Sequence, residues 1–314
     1  MHLPNIKRTG IYIALIVAVT LSLLHMADVK IFEILEAKTL DLQFSLRGVI
    51  PPGPETVIAT IDEKSINRLG RFPWPRSTWG RVVDRLTEEG AKVIVFDVFF
   101  TEPEAVASDH LFQRAIMASG RVVLPIVSDF AEAGYKESGF TDQKVDFLLP
   151  SAFMAMTNTD QPFGVPPAKM VLPTLLRFST YAKSLAHINM NPDIDGTLRW
   201  EMLAVEYQGD YYAPIGLQAA RLYRDVPLEK MALDFSGAVQ VGDTVIPTDE
   251  FGRMLINYRG PNKTFPMYPI SDLLDRTLPA GAFKDKIVLI GATAIGIYDL
   301  RVTPFSTNMA GIEK

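Results

Sequence analysis

The chain has 314 residues, of which 48% are hydrophobic and 21% are charged, and its net charge at pH 7 is -5. This composition can build a hydrophobic core and excludes disorder as the main state, because disordered chains are poor in apolar residues and rich in net charge. The chain has no run of Lys and Arg, so nucleic acid is not an expected partner. It also has no cysteine, which excludes disulfides, thiolate nucleophiles and zinc–thiolate sites.

A short apolar run near the amino terminus is the first candidate element. Lys7 and Arg8 precede the apolar residues 11–24, and basic residues before such a run favour a cytoplasmic amino terminus. A spanning helix needs ~20 residues and the core of a signal peptide ~7–15, so the length agrees with an anchor and with a cleaved signal. His25 stands where a cleavage site would have its first small residue, and we therefore favour an uncleaved transmembrane helix over residues 10–29. The expected location is the inner membrane, crossed once, with the domain that follows in the periplasm or outside the cell.

Alternating helices and strands follow this segment. Apolar residues at helical spacing predict a juxtamembrane helix over residues 31–47, within a connecting segment 30–50 that ends at Pro51. Beyond it, apolar strands alternate with amphipathic helices in the order strand 57–61, helix 77–89, strand 92–100, helix 108–120 and strand 122–127. Such an alternation predicts a parallel sheet covered by helices on both faces.

The second half of the chain is more mixed. Residues 128–183 show no clean period and are interpreted as an insertion with some helix. Antiparallel strands are predicted over residues 200–208 and 239–246, a helix over 213–223, and a last buried strand over 287–291. The predicted fold class is therefore α/β: an N-terminal transmembrane helix, then an extracytoplasmic domain over residues 51–314 with a mostly parallel sheet, flanking helices and an antiparallel part.

The ends of the first two predicted strands carry the main candidate ligand-binding residues. Asp62 and Glu63 end the first strand, and Asp97 lies near the end of the next. Trp74 and Arg76 belong to a proline-stiffened loop that would bring an aromatic face and a cation beside those carboxylates. Ligands of α/β proteins bind in crevices at the carboxyl ends of strands, which makes this group a candidate site. The same residues also fit a structural role, in which the aspartates accept backbone N–H bonds and Trp74 packs under the loop.

Two further motifs resemble ligand loops but depart from them. Asn191, Asp193 and Asp195 occupy the first ligand positions of a calcium loop, whereas its twelfth position, which needs a bidentate Glu, is Met202. A turn stabilised by these side chains is the better interpretation. The glycine-rich residues 291–296 follow a strand but lack the Lys and Ser or Thr of a phosphate loop. We therefore predict neither a metal ion nor a cofactor.

Five blocks of sequence in a fixed order resemble one known family, the type-two CHASE domain, over residues 41–48, 57–76, 90–100, 187–199 and 284–304. This family is an extracytoplasmic sensor at the amino terminus of bacterial signalling proteins. The resemblance implies a helix before the sensor and, after it, further spans that lead to a cyclase or a kinase. It also implies a homodimer and an extracytoplasmic signal whose identity it does not give. The sequence ends about where the sensor would continue into the next span, so we expect a fragment of a longer receptor.

The expected function is that of a membrane-anchored sensory domain without enzymatic activity of its own. A signal would shift the domain, and the shift would pass through the helix over residues 31–47 and through the carboxyl-terminal end. One alternative is an anchored hydrolytic enzyme that uses Asp62, Glu63 and Asp97 for acid–base or metal-assisted chemistry. Another is a scaffold protein that self-associates and binds no small ligand.

Overall fold

A computed structural model of the protein describes residues 5–26, 30–130, 147–161, 163–297 and 300–314. Its helices, in chain order, are α1 Asn5–Met26, α2 Lys30–Arg47, α3 Glu63–Leu69, α4 Arg76–Glu88, α5 Val106–Ser119, α6 Leu176–Ser179, α7 Ile215–Tyr223 and α8 Ile270–Asp275. Short 3-10 helices cover Leu149–Ser151, Leu228–Lys230, Ile295–Ile297 and Gly311–Glu313.

The strands of the described residues fall into one large sheet and several small ones. In chain order they are β1 Thr56–Ile61, β2 Val93–Phe96, β3 Val122–Asp129, β4 Ala155–Thr157, β5 Met170–Pro173, β6 Ser184–His187, β7 Trp200–Met202, β8 Val205–Tyr207, β9 Asp210–Tyr212, β10 Met231–Asp234, β11 Ala238–Val241, β12 Thr244–Pro247, β13 Arg253–Leu255, β14 Met267–Pro269, β15 Ile287–Ala292, β16 Leu300–Arg301 and β17 Met309–Ala310.

The expected transmembrane anchor over residues 10–29 is wrong. Among the residues that the structure describes, no helix combines the length and the apolar character that crossing a membrane requires. The apolar run 11–24 rises about 21 Å as an α-helix, against a hydrocarbon core ~30 Å thick. The basic pair before the run matches an insertion signal but does not supply the missing length. The predicted fold class is therefore corrected in this point for the part of the chain that the structure describes, and the expected single-pass location in the inner membrane is contradicted as well.

The central sheet is mostly parallel, and its last strand in sequence lies near its middle. The strand order is β14-β1-β15-β2-β3-β5, and β6 also pairs with β3. Every pairing within it is parallel except that of β3 with β5. The mixed α/β prediction, with parallel and antiparallel parts, is confirmed. The sequence did not indicate that β15 would separate β1 from β2.

Helices cover both faces of this sheet. On one face, α4 and α5 present buried apolar residues to an aromatic cluster that comprises Trp74, Trp79, Phe96, Phe100, Phe112 and Phe178. On the other face, Ala219 of α7 packs against Val93 and Val95 of β2. Gly120 ends α5 in the left-handed conformation, with φ 59°, and its N–H bonds to the carbonyl of Ile116. Because helices cover both faces, the parallel strands of the central sheet are buried along their length.

The antiparallel part has shorter strands than the sequence suggested. The predicted strand 200–208 is divided into β7, which pairs with β13, and β8, which pairs with β9. The predicted strand 239–246 is a hairpin of β11 and β12, because Gly242 takes a φ of +61° between them. Within the predicted insertion 128–183, residues 131–146 and 162 lie outside the described residues, and the rest supplies β4, β5, α6 and the 3-10 helix Leu149–Ser151.

Candidate functional site

A crevice opens where three parallel strands end side by side. Ile61 at the end of β1 is in register with Ala292 of β15, and Ile290 of β15 is in register with Phe96 of β2. The crevice has a volume of about 320 Å³, and Ile61, Ala292 and Asp97 form its floor at the strand ends. Its position is the one at which open α/β sheets bind ligands.

The crevice combines charged and aromatic side chains. Its charged lining residues are Arg76, Asp97 and Arg301, and its rings include Phe72 and Phe100. Asp97 and Arg301 each make an interaction of their own within the domain. Two cations, one carboxylate and aromatic walls suit the binding and orientation of a small molecule.

Several contacts hold the side chain of Arg76 in place. Its guanidinium lies 4.6 Å from the centre of the Phe100 ring, its Nη2 donates to the Glu102 carbonyl at 3.2 Å, and its Nε is 4.0 Å from Oδ1 of Asp109. Burial lowers the pKa of Arg76, and the nearby carboxylates of Glu104 and Asp109 oppose that effect. The side chain, 13% exposed, is therefore a largely buried cation at the wall of the crevice.

A wholly buried carboxylate supports Arg76 from behind. Oδ2 of Asp109, in the first turn of α5, accepts from Nη1 of Arg177 at 2.9 Å and from the backbone N–H of Glu104 at 3.2 Å. Its Oδ1 faces Arg76 and has no hydrogen-bond partner among the described residues. Asp109 was not predicted as a site residue, although it follows the block over residues 90–100 and belongs to the resemblance with the type-two CHASE domain.

Three of the residues predicted to bind a ligand do not line the crevice. Asp62 caps α3, where its Oδ1 accepts from the N–H of Ser65 at 2.8 Å, and Glu63 is the exposed first residue of that helix. Trp74 is buried, and its Nε1 donates to the carbonyl of Gly70 at 2.8 Å. The structure thus brings Arg76 and Asp97 together in the crevice, whereas Asp62 caps the neighbouring helix, Trp74 holds the loop and Glu63 lies on the surface.

A buried arginine outside the crevice joins α2 to the domain. The side chain of Arg199 is 1% exposed. It donates to both carboxylate oxygens of Asp41 in α2 at 2.9 and 2.8 Å, to both oxygens of Asp195 at 2.9 and 2.8 Å, and to Asp193 at 2.7 Å. Burial disfavours the charge of Arg199, but its hydrogen bonds with Asp195, Asp41 and Asp193 raise its pKa overall. Lys38 adds a bond of 2.8 Å to Asp195.

These contacts account for the motif that resembled a calcium loop. The carboxylates of Asp193 and Asp195 are directed at Arg199, and this hydrogen bonding holds the pKa of Asp195 well below its ordinary value. Among the described residues no group of three or more metal-ligating side chains is found. The arginine four positions after Asp195 was a signal in the sequence, but its partner Asp41 is 158 residues away.

Further contacts fix the carboxyl-terminal half of α2. Phe44 is buried against Tyr258, Ile256 and Met309. Arg47 donates to Oδ1 of Asn257 at 2.6 Å and to the carbonyl of Tyr258. The helix α2, which was predicted as a link to the rest of a receptor, is thus attached to the domain by ion pairs at Lys38 and Asp41, by apolar packing of Phe44 and by hydrogen bonds of Arg47.

Comparison with family models gives one match, and it covers nearly the whole sequence. The model of the CHASE2 domain matches residues 13–314. Comparisons with curated proteins and with solved structures find no match. The resemblance in five sequence blocks is thereby confirmed, and the chain belongs to the CHASE2 domain family, a family of sensory rather than catalytic domains in signal-transduction receptors.

Proposed function

We propose that this chain binds a small molecule in the crevice at Arg76 and Asp97 and reports it to a cyclase or kinase output through α2. One observation carries the proposal: a single segment of chain connects the crevice to α2. Ile188 and Met190 line the crevice, and the same segment continues to Asp193 and Asp195, which bind Arg199 beside α2.

Another part of the crevice lining is connected to the same point. Arg301 lines the crevice, and the next residue, Val302, accepts a backbone hydrogen bond of 2.8 Å from Leu198. Leu198 directly precedes Arg199, so both walls are tied to the residue that binds Asp41 of α2. A ligand that draws the walls together therefore displaces the anchor of α2, provided that it binds the two arrangements with different affinity.

An exposed apolar stripe on α2 supports a homodimer. Its residues recur at alternating intervals of three and four positions, the repeat of a coiled coil, and comprise Phe32, Leu35, Thr39, Leu42 and Leu46. Leu42 is 57% and Leu46 is 79% exposed, whereas Phe44 on the other side of the helix is buried against the domain. A second copy of α2 would cover the stripe. A shift of the contact between Arg199 and Asp41 in each chain would then change the relative position of the two α2 helices.

The geometry gives less support to a hydrolytic enzyme. Such an enzyme would need the carboxylates of Asp62, Glu63 and Asp97 to converge, but Asp62 caps α3 and Glu63 lies on its exposed side. Asp97 lines the crevice without them. The convergence of these three carboxylates that the enzymatic alternative requires is therefore not formed.

A thermal-shift screen of the chain against small metabolites tests the proposal. A ligand present at 100 times its Kd should stabilise the folded state by about 2.7 kcal/mol. The shift should be lost in Arg76→Lys and in Asp97→Asn, which alter the charged lining. It should be kept in the control Arg68→Gln, because Arg68 makes only an exposed ion pair with Asp275. A ligand whose shift survives both crevice substitutions would refute the assignment of the site.

A further inference from the structure

A second cavity lies on the face of the sheet that α7 covers. It has a volume of about 480 Å³. Its apolar walls come from the sheet, from α7 and from the carboxyl-terminal 3-10 helix, and include Ile58, Val95, Leu289, Leu217, Met254 and Ile312. We infer that this cavity is a binding site for a neutral, apolar small molecule. The inference goes beyond the proposed function. The cavity shares Asp97, Ile188 and Met190 with the crevice at Arg76, but the substitutions that test it, at Gly216 and Ala220, lie outside the crevice lining.

The polar groups that line the cavity are already engaged, which sets the chemistry of the ligand. Asp97 makes an interaction of its own within the domain. Nζ of Lys314 lies 2.6 Å from Oε2 of Glu201, and Glu313 accepts from the N–H of Lys263 at 2.6 Å. The amide of Asn189 bonds to both backbone groups of Ser128, at 2.8 and 2.6 Å. A charged ligand would have to break one of these pairs in a poorly hydrated site, whereas a neutral apolar ligand leaves all of them intact.

Glu201, which lines the cavity, lies in a largely buried position. Burial raises the pKa of this carboxyl even though Lys314 acts in the opposite direction. When a ligand covers the apolar walls of the cavity, it removes them from water, and the binding free energy becomes more favourable in proportion to the area covered.

The size of the cavity favours a small molecule over a protein partner. Ligand pockets commonly enclose ~300–1,000 Å³ and are lined mainly by apolar side chains with a few polar groups. A stable protein interface needs about 800 Å² from each partner, an extended surface rather than a concave site of this volume.

The position of the cavity gives its occupant access to both ends of the domain. Ile256 lines the cavity and also packs against Phe44 of α2. Ile312, in the carboxyl-terminal 3-10 helix, also lines the cavity and packs against Ile58 of β1. An apolar ligand would therefore contact the residues that seat α2 and the residues that seat the carboxyl-terminal 3-10 helix.

Two dyes with the same ring system provide the test. N-phenyl-1-naphthylamine is neutral, and 8-anilino-1-naphthalenesulfonate adds one sulfonate to that frame. We expect the neutral dye to bind the full chain with saturable fluorescence and about one dye per chain, and the sulfonate to bind about tenfold more weakly because its charge must be desolvated.

A substitution that fills the cavity links the binding to this place. Gly216 lines the cavity, its φ is not positive, and an added Cβ would meet no atom within 4 Å. Gly216→Leu should weaken binding of the neutral dye about tenfold by occupying its space, and Ala220→Leu, one turn further along α7, should act in the same way. The matched control is Ala118→Leu, which adds the same side chain to an exposed position of α5. Melting curves establish that each variant is folded.

Three results would overturn the inference. The first is unchanged binding of the neutral dye in both Gly216→Leu and Ala220→Leu. The second is equal binding of the two dyes, which would mean that the site does not select neutral ligands. The third is loss of a dimer in Gly216→Leu by sedimentation velocity with dye binding retained, which would identify the cavity as a protein interface.

Discussion

Replacing Asp41 with Asn tests whether the Arg199 cluster holds α2 on the domain. The substitution removes the carboxylate charge and one of two charge-assisted hydrogen bonds, of 2.9 and 2.8 Å, to an arginine whose side chain is 1% exposed. Hydrogen bonds to charged groups contribute ~1.5–3 kcal/mol each. Arg199 keeps Asp193 and Asp195, so its charge stays paired. We therefore expect Asp41→Asn to lower the free energy of unfolding by about 2 kcal/mol.

Replacing Arg199, the other partner of this contact, should lower the free energy of unfolding by more. Arg199→Gln leaves the carboxylates of Asp41, Asp193 and Asp195 facing one another without the buried cation, and breaking a buried pair costs ~3–5 kcal/mol. Lys38→Gln is the control, because Lys38 is 56% exposed and its bond to Asp195 should contribute less than about 0.5 kcal/mol.

Urea unfolding at pH 7 measures these differences, and hydrogen exchange locates them. In Asp41→Asn the amides of α2 should exchange faster while those of β1 and β15 keep their relative protection. The reasoning is refuted if Asp41→Asn costs no more than Lys38→Gln, or if Arg199→Gln costs less than Asp41→Asn.

Three further predictions follow from single residues. Burial lowers the pKa of His187 to about 3 from 6.5. The unfolded state therefore binds more protons, and the free energy of unfolding should fall by about 1.4 kcal/mol per pH unit as the pH drops below ~6.5. A His187→Asn variant should lose this slope between pH 6 and pH 4 in urea titrations, and an unchanged slope would contradict the lowered pKa of His187. Leu42→Glu should convert a dimer into a monomer in sedimentation velocity, whereas Gln43→Glu on the neighbouring exposed position should not; a wild-type monomer would contradict the role of the stripe. Gly120→Ala should cost about 1 kcal/mol, because Gly120 has a φ of 59° and the added Cβ meets no atom within 4 Å, so that backbone strain alone acts; a neutral effect in thermal unfolding would refute this.

Local patterns in the sequence predicted most of the central elements. The apolar runs at β1, β3 and β15 and the amphipathic spacing in α4 and α5 lie within a few residues of the observed bounds. Apolar runs and amphipathic spacing depend only on residues that are close together in the chain, and the sequence alone therefore predicts them. Where turn chemistry divided a pattern, as at Gly242, the predicted strand was too long.

The candidate site was harder to predict because it depends on strand order. Asp62 and Asp97 were expected to meet on the assumption that β1 and β2 are neighbours, but β15 lies between them. Neighbouring strands are ~4.8 Å apart, so the inserted strand about doubles the distance between the two ends. The cap that Asp62 forms on α3 agrees with the alternative role given in the sequence analysis, in which the aspartates accept backbone N–H bonds.

The Arg199 cluster combines contacts between residues that are close in the sequence with a contact between residues that are far apart. Asp193 and Asp195 lie within six residues of Arg199, and their proximity was visible in the sequence. Asp41 comes from the other end of the chain, and no spacing rule joins residues that far apart. The apolar run 11–24 shows the opposite error, because a strong local signal led to a membrane anchor that the structure does not support.

The place of β15 in the sheet has a consequence for how the protein is made. β1 pairs with β15 over Thr56 to Ile61, and roughly 230 residues of chain separate the two strands. At ~5–20 residues per second, β1 leaves the ribosome about 10 to 50 s before its central partner exists. During that interval β1 and β2 are open strand edges that other chains could bind. Shortening the chain before residue 287 would thus not yield a smaller sensor but a polypeptide that cannot close its sheet and is prone to aggregate.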